Sequence, residues 1–230
     1  MRVTVLLLAA GSGKRLGSEL PKQYLHVAGA PIIRHTLNSL AAEPRIVAVQ
    51  PVIAEGDGWF AEAVAGHSYP FELRTPVVGG AERAISMANG LAALPEECEW
   101  VAVHDAARPL PSAALLADLF AAALHCGAAV PGLAVTDTIK RVDGEGRILE
   151  TLVRSELRAV QTPQMARKRW LLEAMELQQG RLHLFTDDVS LLEAAGFPVQ
   201  VSRGEAANRK ITTCEDLAWL QAELAHRERS

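Results

Sequence analysis

Cysteine is scarce in this chain: three in 230 residues, Cys98, Cys126 and Cys214, scattered and without a C-x-x-C pair. Such spacing excludes a disulfide framework and a structural zinc site, and it fits a reducing cytosol. Aromatics make up only 5%, too few for the stacking platforms that hold single-stranded nucleic acid. Charge of one sign is not in excess either. A formal net charge of -4 leaves no electrostatic footprint for nonspecific nucleic-acid binding. No apolar run approaches the ~20 residues of a membrane-spanning helix. The run from Met1 to Ala10 is short for a secretory segment, has only Arg2 ahead of it, and ends in a cationic loop. A soluble, cytoplasmic protein with no nucleic-acid and no membrane partner is expected. Internal repeats and low-complexity segments are also missing. What remains is a chain with 49% hydrophobic residues, long enough to bury a full core, so residues 1–230 read as a single domain.

Apolar strand-like runs alternate with helical patterns, which predicts an α/β fold with a mainly parallel sheet flanked by helices. Candidate strands are Val3–Leu8, Ile46–Val52, Phe71–Thr75, Trp100–His104, Ala128–Ala134 and Val199–Ser202. Candidate helices are Pro31–Leu40, opened by proline in its first turn, Glu82–Leu94, Ser112–His125 with Ser112 as N-cap, Lys168–Gln178, Asp188–Ala195 closed by Gly196, and Glu215–Arg227. One stretch breaks the alternation. Thr136–Val142 and Arg147–Val153 flank Asp143-Gly144-Glu145-Gly146, the signal of a β-hairpin. Its outward residues are mixed and polar, so this protruding arm at about 136–154 has little core of its own. An isolated hairpin is marginal in water, and a second subunit is the economical packing partner.

Chemistry concentrates first in Leu7-Leu8-Ala9-Ala10-Gly11-Ser12-Gly13-Lys14-Arg15-Leu16, closed by Pro21-Lys22-Gln23-Tyr24. Glycine lets a backbone turn sharply and approach a ligand with its N–H groups. Together with the cations at 14, 15 and 22, such a loop at the carboxyl end of a first strand suits a polyphosphate. Two familiar phosphate-binding patterns fail here. The dinucleotide fingerprint needs its third glycine one place before Gly17, and the P-loop needs Ser or Thr where Arg15 stands. Three further constellations follow. Gly79-Gly80 opens a helix carrying Arg83 and Ser86, with free N–H groups expected at its positive end. Val103-His104-Asp105-Ala106-Ala107-Arg108-Pro109 ends a buried strand in a carboxylate followed by a cation suited to bidentate phosphate binding. Late polar clusters hold Thr136-Asp137-Thr138, Arg154, Gln161-Thr162, Thr186-Asp187-Asp188 and Asn208-Arg209-Lys210, residues suited to a phosphorylated polyol. Asp187-Asp188 reads first as an N-cap, and His104 as a hydrogen-bonded core histidine without a catalytic role.

Taken in order, A-A-G-S-G-K-R-L, L-P-K-Q-Y, G-G-A-E-R-A-I-S, V-H-D-A-A-R-P, T-D-T-I-K, Q-T-P-Q, T-D-D and N-R-K-I-T-T resemble the 2-C-methyl-D-erythritol 4-phosphate cytidylyltransferase family, from Leu6 to Leu217. The resemblance implies a Rossmann-like nucleotidyltransferase fold, Mg²⁺ dependence with Mn²⁺ as a substitute, and a homodimer joined by the hairpin arm. The reaction it implies takes CTP and methylerythritol phosphate to 4-diphosphocytidyl-methylerythritol and pyrophosphate in non-mevalonate isoprenoid synthesis. It assigns transition-state stabilisation to Arg15 and Lys22. Ala9, Ala10, Gly11, Gly13 and Lys14 lie along the triphosphate, Gly79, Gly80 and Ser86 hold cytidine, and Asp105 faces the metal. Arg108, Thr138, Arg154, Thr162, Thr186 and Lys210 take methylerythritol phosphate, Arg154 and Lys210 aiming its phosphate. The chain departs from the family pattern at Ala81, Arg209 and Cys214, none of them in the cationic set.

Two enzyme readings compete. A ribitol-5-phosphate cytidylyltransferase needs the same phosphate grip, and a dinucleotide-dependent oxidoreductase shares the fold class but is opposed by the misplaced third glycine. A noncatalytic nucleotide binder has no evident use for both Lys22 and Lys210.

Overall fold

The computed structural model describes residues 1–11 and 20–229; Gly13, Lys14, Arg15 and Gly17 of the sequence loop lie outside the described residues. In chain order the elements are β1 (Val3–Leu8), β2 (His26–Val27), β3 (Ala30–Pro31), α1 (Ile32–Leu40), β4 (Ile46–Ile53), α2 (Trp59–Val64), β5 (Glu72–Leu73), β6 (Val77–Val78), α3 (Arg83–Ala92), β7 (Trp100–Asp105), α4 (Ala113–Cys126), β8 (Ala128–Ala134), β9 (Lys140–Val142), β10 (Ile148–Thr151), β11 (Arg158–Val160), β12 (Gln164–Arg167), α5 (Lys168–Leu177), α6 (Asp188–Ala194), β13 (Gln200–Arg203) and α7 (Cys214–Arg227).

The main sheet runs β11-β8-β12-β7-β1-β4-β5, with β13 on β8 and β6 on β4. Strands β7, β1, β4, β5 and β6 are parallel, as is the β8–β13 pair. Side chains alternate across this sheet with period two, and both faces are buried. Val5 and Leu7 of β1, Ala102 of β7 and Met165 of β12 join α1, α2 and α4 on one face. Leu6, Val101, Val103 and Ala166 join α3, α5 and α6 on the other. A smaller cluster of Val27, Ile32, Leu110, Ile211 and Leu220 seats α7. Caps fix the helix ends: the Ser112 hydroxyl accepts from the Leu115 amide, and Gly127 closes α4 at φ 96°. A side chain at Gly127 is excluded twice over, because its Cβ would fall 2.1 Å from the Trp170 ring.

The mainly parallel sheet expected from the alternation is present, with one insertion it did not announce. β12, from a segment to which no element was assigned, lies antiparallel between β7 and β8, and β11 continues antiparallel along β8. Four residues with only Met165 and Ala166 as apolar members carry no period that separates a central strand from a loop. The run Phe71–Thr75 shrinks to β5, with β6 a separate short pairing.

β9 and β10 form a two-stranded sheet of their own, with Ile148 opposite Val142 and Thr151 opposite Lys140. Its strands are shorter than the runs 136–142 and 147–153, and every residue in them is exposed. Asp143 organises the turn by accepting the amides of Glu145 and Arg147, and Gly146 takes φ 82°. The arm is less polar than its sequence suggested: Val142, Ile148, Leu149 and Val153 all stand in the open.

Candidate active site

The strand order reverses at β1, which has β4 on one side and β7 on the other. Open α/β sheets hold ligands beyond the carboxyl ends of the strands at such a point. A cavity of about 410 Å³ opens there. Its walls come from Ala9, Ala10 and Gly11 after β1, Lys22 and Gln23, Gly80 with Arg83 and Ser86, Asp105 to Ala107 after β7, and Lys210.

Each wall has a local anchor. Lys22–Tyr24 is a single 3₁₀ turn. The Gln23 side chain donates to the Ala9 carbonyl at 2.5 Å, and the Tyr24 hydroxyl donates to Asp57 at 2.6 Å. Asp57 in turn accepts the Trp59 and Phe60 amides at the start of α2. Gly79 and Gly80 do not offer the free N–H groups expected of them. The Gly79 amide donates to the Ile53 carbonyl and the Gly80 amide to the Ser86 hydroxyl, and α3 begins only at Arg83. Glycine is required at 79 for close approach, since a Cβ would sit 2.7 Å from both the Ala10 Cβ and the Ser86 hydroxyl.

Charge converges on Asp105. Lys210 Nζ lies 2.7 Å from one carboxylate oxygen, Arg108 Nε 3.8 Å from the same oxygen, and Arg83 Nε 3.6 Å from the other. Burial pushes this carboxyl up, but Lys210 and Arg83 outweigh it and hold Asp105 well below the usual carboxylate range. Arg83 also grips Asp188 bidentately at 2.5 and 2.8 Å. Burial pushes the Asp188 carboxyl up, with Arg83 opposing. Asp187 and Asp188, read together as an N-cap, therefore have separate tasks. Asp187 caps α6 through the Ser190 amide, while Asp188 turns inward to Arg83. A carboxylate within the buried stripe Val189, Leu191, Leu192 was the available signal for an ion pair.

The sequence-predicted residues separate into two groups. Ala9, Ala10, Gly11, Lys22, Gly80, Ser86, Asp105 and Lys210 line the one cavity. Gly79 stands behind Ser86 and Ala10. Arg108 lies just under the wall, where Nη1 donates to the Asn208 carbonyl and Nε is buried without a hydrogen-bond partner. Thr162 is buried rather than exposed to a ligand: its hydroxyl is engaged with His104 Nδ1 and the Asp105 amide. Thr138, Arg154 and Thr186 are exposed and are not among the residues lining the cavity. Arg154 holds the base of the arm instead, donating to the Thr136 carbonyl at 2.7 Å.

Among the described residues no group of three or more His, Cys, Asp and Glu side chains could cage a metal ion. Asp105 and Glu82 are the carboxylates of the cavity wall, and Asp105 is already paired with Lys210. That donor set fits a hard cation that brings most of its oxygen ligands with it, as Mg²⁺ on a triphosphate does. It does not fit a metal held by protein alone.

A doubly wound sheet whose switch-point crevice gathers a Gly-containing strand end, Lys22, Lys210 and Asp105 fits a nucleotidyltransferase. The model of the family described as IspD: 2-C-methyl-D-erythritol 4-phosphate cytidylyltransferase matches residues 3–226. The chain belongs to that family. It is 44% identical to the 2-C-methyl-D-erythritol 4-phosphate cytidylyltransferase of Aeromonas hydrophila subsp. hydrophila, covering 94% of this chain and 87% of that one. It is 42% identical to a bifunctional enzyme IspD/IspF of Rhodopseudomonas palustris over 97% of its length, and spans about half (55%) of that relative. The solved structure of 4-diphosphocytidyl-2C-methyl-D-erythritol synthase from Anaerococcus prevotii superposes with a TM-score of 0.85 at 28% identity, covering 97% of this chain and 98% of that one.

Proposed function

We propose that this chain joins CTP to 2-C-methyl-D-erythritol 4-phosphate, releasing pyrophosphate, as a step of non-mevalonate isoprenoid synthesis. The observation that carries this reading is the meeting of Lys22, Lys210 and Asp105 in one cavity at the switch point of the sheet. An oxygen of the polyol phosphate attacks the α-phosphorus of CTP in line. A new P–O bond forms as the bond to the β-phosphate breaks, and its electron pair leaves with pyrophosphate. The nucleophile is already ionised at neutral pH, so no general base is needed, and catalysis is positioning plus electrostatic stabilisation. Lys22 meets charge growing on the α-phosphate, and Arg15 shares that task. Gly11, Gly13 and Lys14 follow the triphosphate, with Gly80 and Ser86 at the cytidine. Lys210 exchanges the Asp105 carboxylate for the incoming phosphate, aided by Arg108. Asp105 would face Mg²⁺, or Mn²⁺ in its place, and the ion would supply neutralisation of the triphosphate charge. The assay offers CTP, ATP, GTP and UTP, each with methylerythritol phosphate or ribitol 5-phosphate, and measures pyrophosphate release. CTP with methylerythritol phosphate is expected to dominate. Faster turnover of ribitol 5-phosphate transfers the assignment to that substrate, and no release from any pair refutes it.

The same reading makes the protein a homodimer with composite sites. Four apolar side chains stand about half exposed or more on the arm, and each forgoes about 1–2 kcal/mol relative to full burial. A two-fold pairing buries both arms in one self-complementary interface. Thr138 and Arg154, at the arm's base, then serve the neighbouring cavity. The check is complementation between Arg154→Ala and Lys22→Ala chains, each inactive alone. If the arm crosses over, a mixed dimer has one site with both defects and one with neither, and activity returns toward half of wild type. If Arg154 serves its own chain, every site stays defective and nothing returns. A cytoplasmic location accords with three free cysteines. No helix among the described residues is long and apolar enough to cross a membrane.

A further inference from the structure

His104 occupies the last inward position before Asp105 on β7, with no exposed surface. Its two nitrogens have different partners. Nε2 lies 3.0 Å from the Arg108 carbonyl, which can only accept, so Nε2 carries the proton. Nδ1 is then a lone pair 3.0 Å from the Thr162 hydroxyl, which must donate to it. With its proton spent there, the Thr162 oxygen accepts the Asp105 amide at 3.1 Å. Asn208, equally buried, completes the lacing. Its side-chain amide donates to the Thr162 carbonyl at 2.8 Å, while its own carbonyl accepts from Arg108 Nη1 at 2.9 Å. The His104 and Thr162 donors in this circuit each have one acceptor facing them.

We infer that His104 is a positioning residue with two separable outputs: Nδ1, through Thr162, sets the main chain at Asp105 on the nucleotide side, and Nε2 sets the main chain at Arg108 on the polyol-phosphate side. Which substrate each output governs rests on the function proposed above. A histidine that merely fills the core has no such division.

Asparagine and glutamine separate the two outputs. The His104→Asn amide reaches the place of Nδ1 and keeps an acceptor for Thr162, but leaves the Arg108 carbonyl without its donor. The His104→Gln amide reaches the place of Nε2, keeps that donor and abandons Thr162. Loss of a supporting hydrogen bond behind a functional group commonly costs about 10- to 100-fold. H104N is therefore expected to raise KM for methylerythritol phosphate about 10-fold and leave KM for CTP within about twofold. H104Q is expected to do the reverse, and His104→Leu to raise both and lower kcat. Equal KM profiles for the Asn and Gln variants, or a lowered Tm with unchanged kinetics, overturn the inference. If the variants do not fold, the imidazole nitrogen shifts of the wild-type protein decide. An Nε2–H tautomer with a slowly exchanging proton supports the circuit, and an Nδ1–H tautomer removes it. That spectrum needs no substrate, so failure of the proposed reaction in the wild-type assay is told apart from failure of the circuit.

Discussion

Replacing Lys22 with alanine is expected to lower kcat by about 10²–10³, the usual cost of losing one preorganised donor to a developing charge. The turn that carries Lys22 is fastened by its neighbours, through Gln23 to the Ala9 carbonyl and through Tyr24 to Asp57. Truncating the lysine leaves both fastenings in place, so Tm should stay close to that of the wild type while turnover collapses. Burial and the Asp57 hydrogen bond push the Tyr24 phenol above its ordinary range, so the second fastening does not loosen by phenol ionisation at assay pH. Arg15→Ala is expected to fall by a similar factor on the strength of the sequence resemblance. Steady-state kinetics at saturating CTP, paired with thermal melts, make the test. A kcat within about twofold of wild type removes the residue from the catalytic set, and a collapse of Tm reassigns it to folding.

Chelating divalent cations is expected to abolish pyrophosphate release altogether, with Mg²⁺ or Mn²⁺ restoring it. Two anions must meet in the crevice, and a metal on the triphosphate would supply several kcal/mol of charge stabilisation in the transition state. The protein side of that contact is slight. Asp105 is one carboxylate, already 2.7 Å from Lys210. The dialysed protein should therefore retain little metal on its own, and the metal concentration needed for half-maximal rate should track the nucleotide rather than the enzyme. Metal analysis of the dialysed protein and an EDTA titration of the rate provide the measurement. Full turnover in chelated buffer would falsify the metal assignment, and a stoichiometric metal surviving dialysis would show a protein-made site.

Much of this architecture was legible without coordinates, for a local reason. β1, β7 and β8 are apolar runs of six or seven residues, α4 announces itself with Ser112 and closes on Gly127, and α6 stops before Gly196. Such signals sit within one element and survive in any context. The loop after β1 and the V-H-D-A-A-R-P segment could likewise be placed at strand ends, and a strand end in an open sheet is where ligands bind.

Sequence alone thus determined most of the long elements, the parallel core and the family. Tertiary structure decided which of the polar residues share that cavity. Lys210 meets Asp105 across more than a hundred residues, and Arg83 reaches Asp188 across a similar span. No periodicity encodes such pairings, because they are set by how strands are ordered and loops laid over one another. The same holds for β12, whose few residues become a central strand only because β7 and β8 leave unpaired backbone groups on both sides. It holds again for Thr162, read as a ligand contact and found buried between His104 and the Asp105 amide. A hydroxyl takes whichever partner folding brings within 3 Å, and in the chain's linear order those partners stand 57 and 58 residues away.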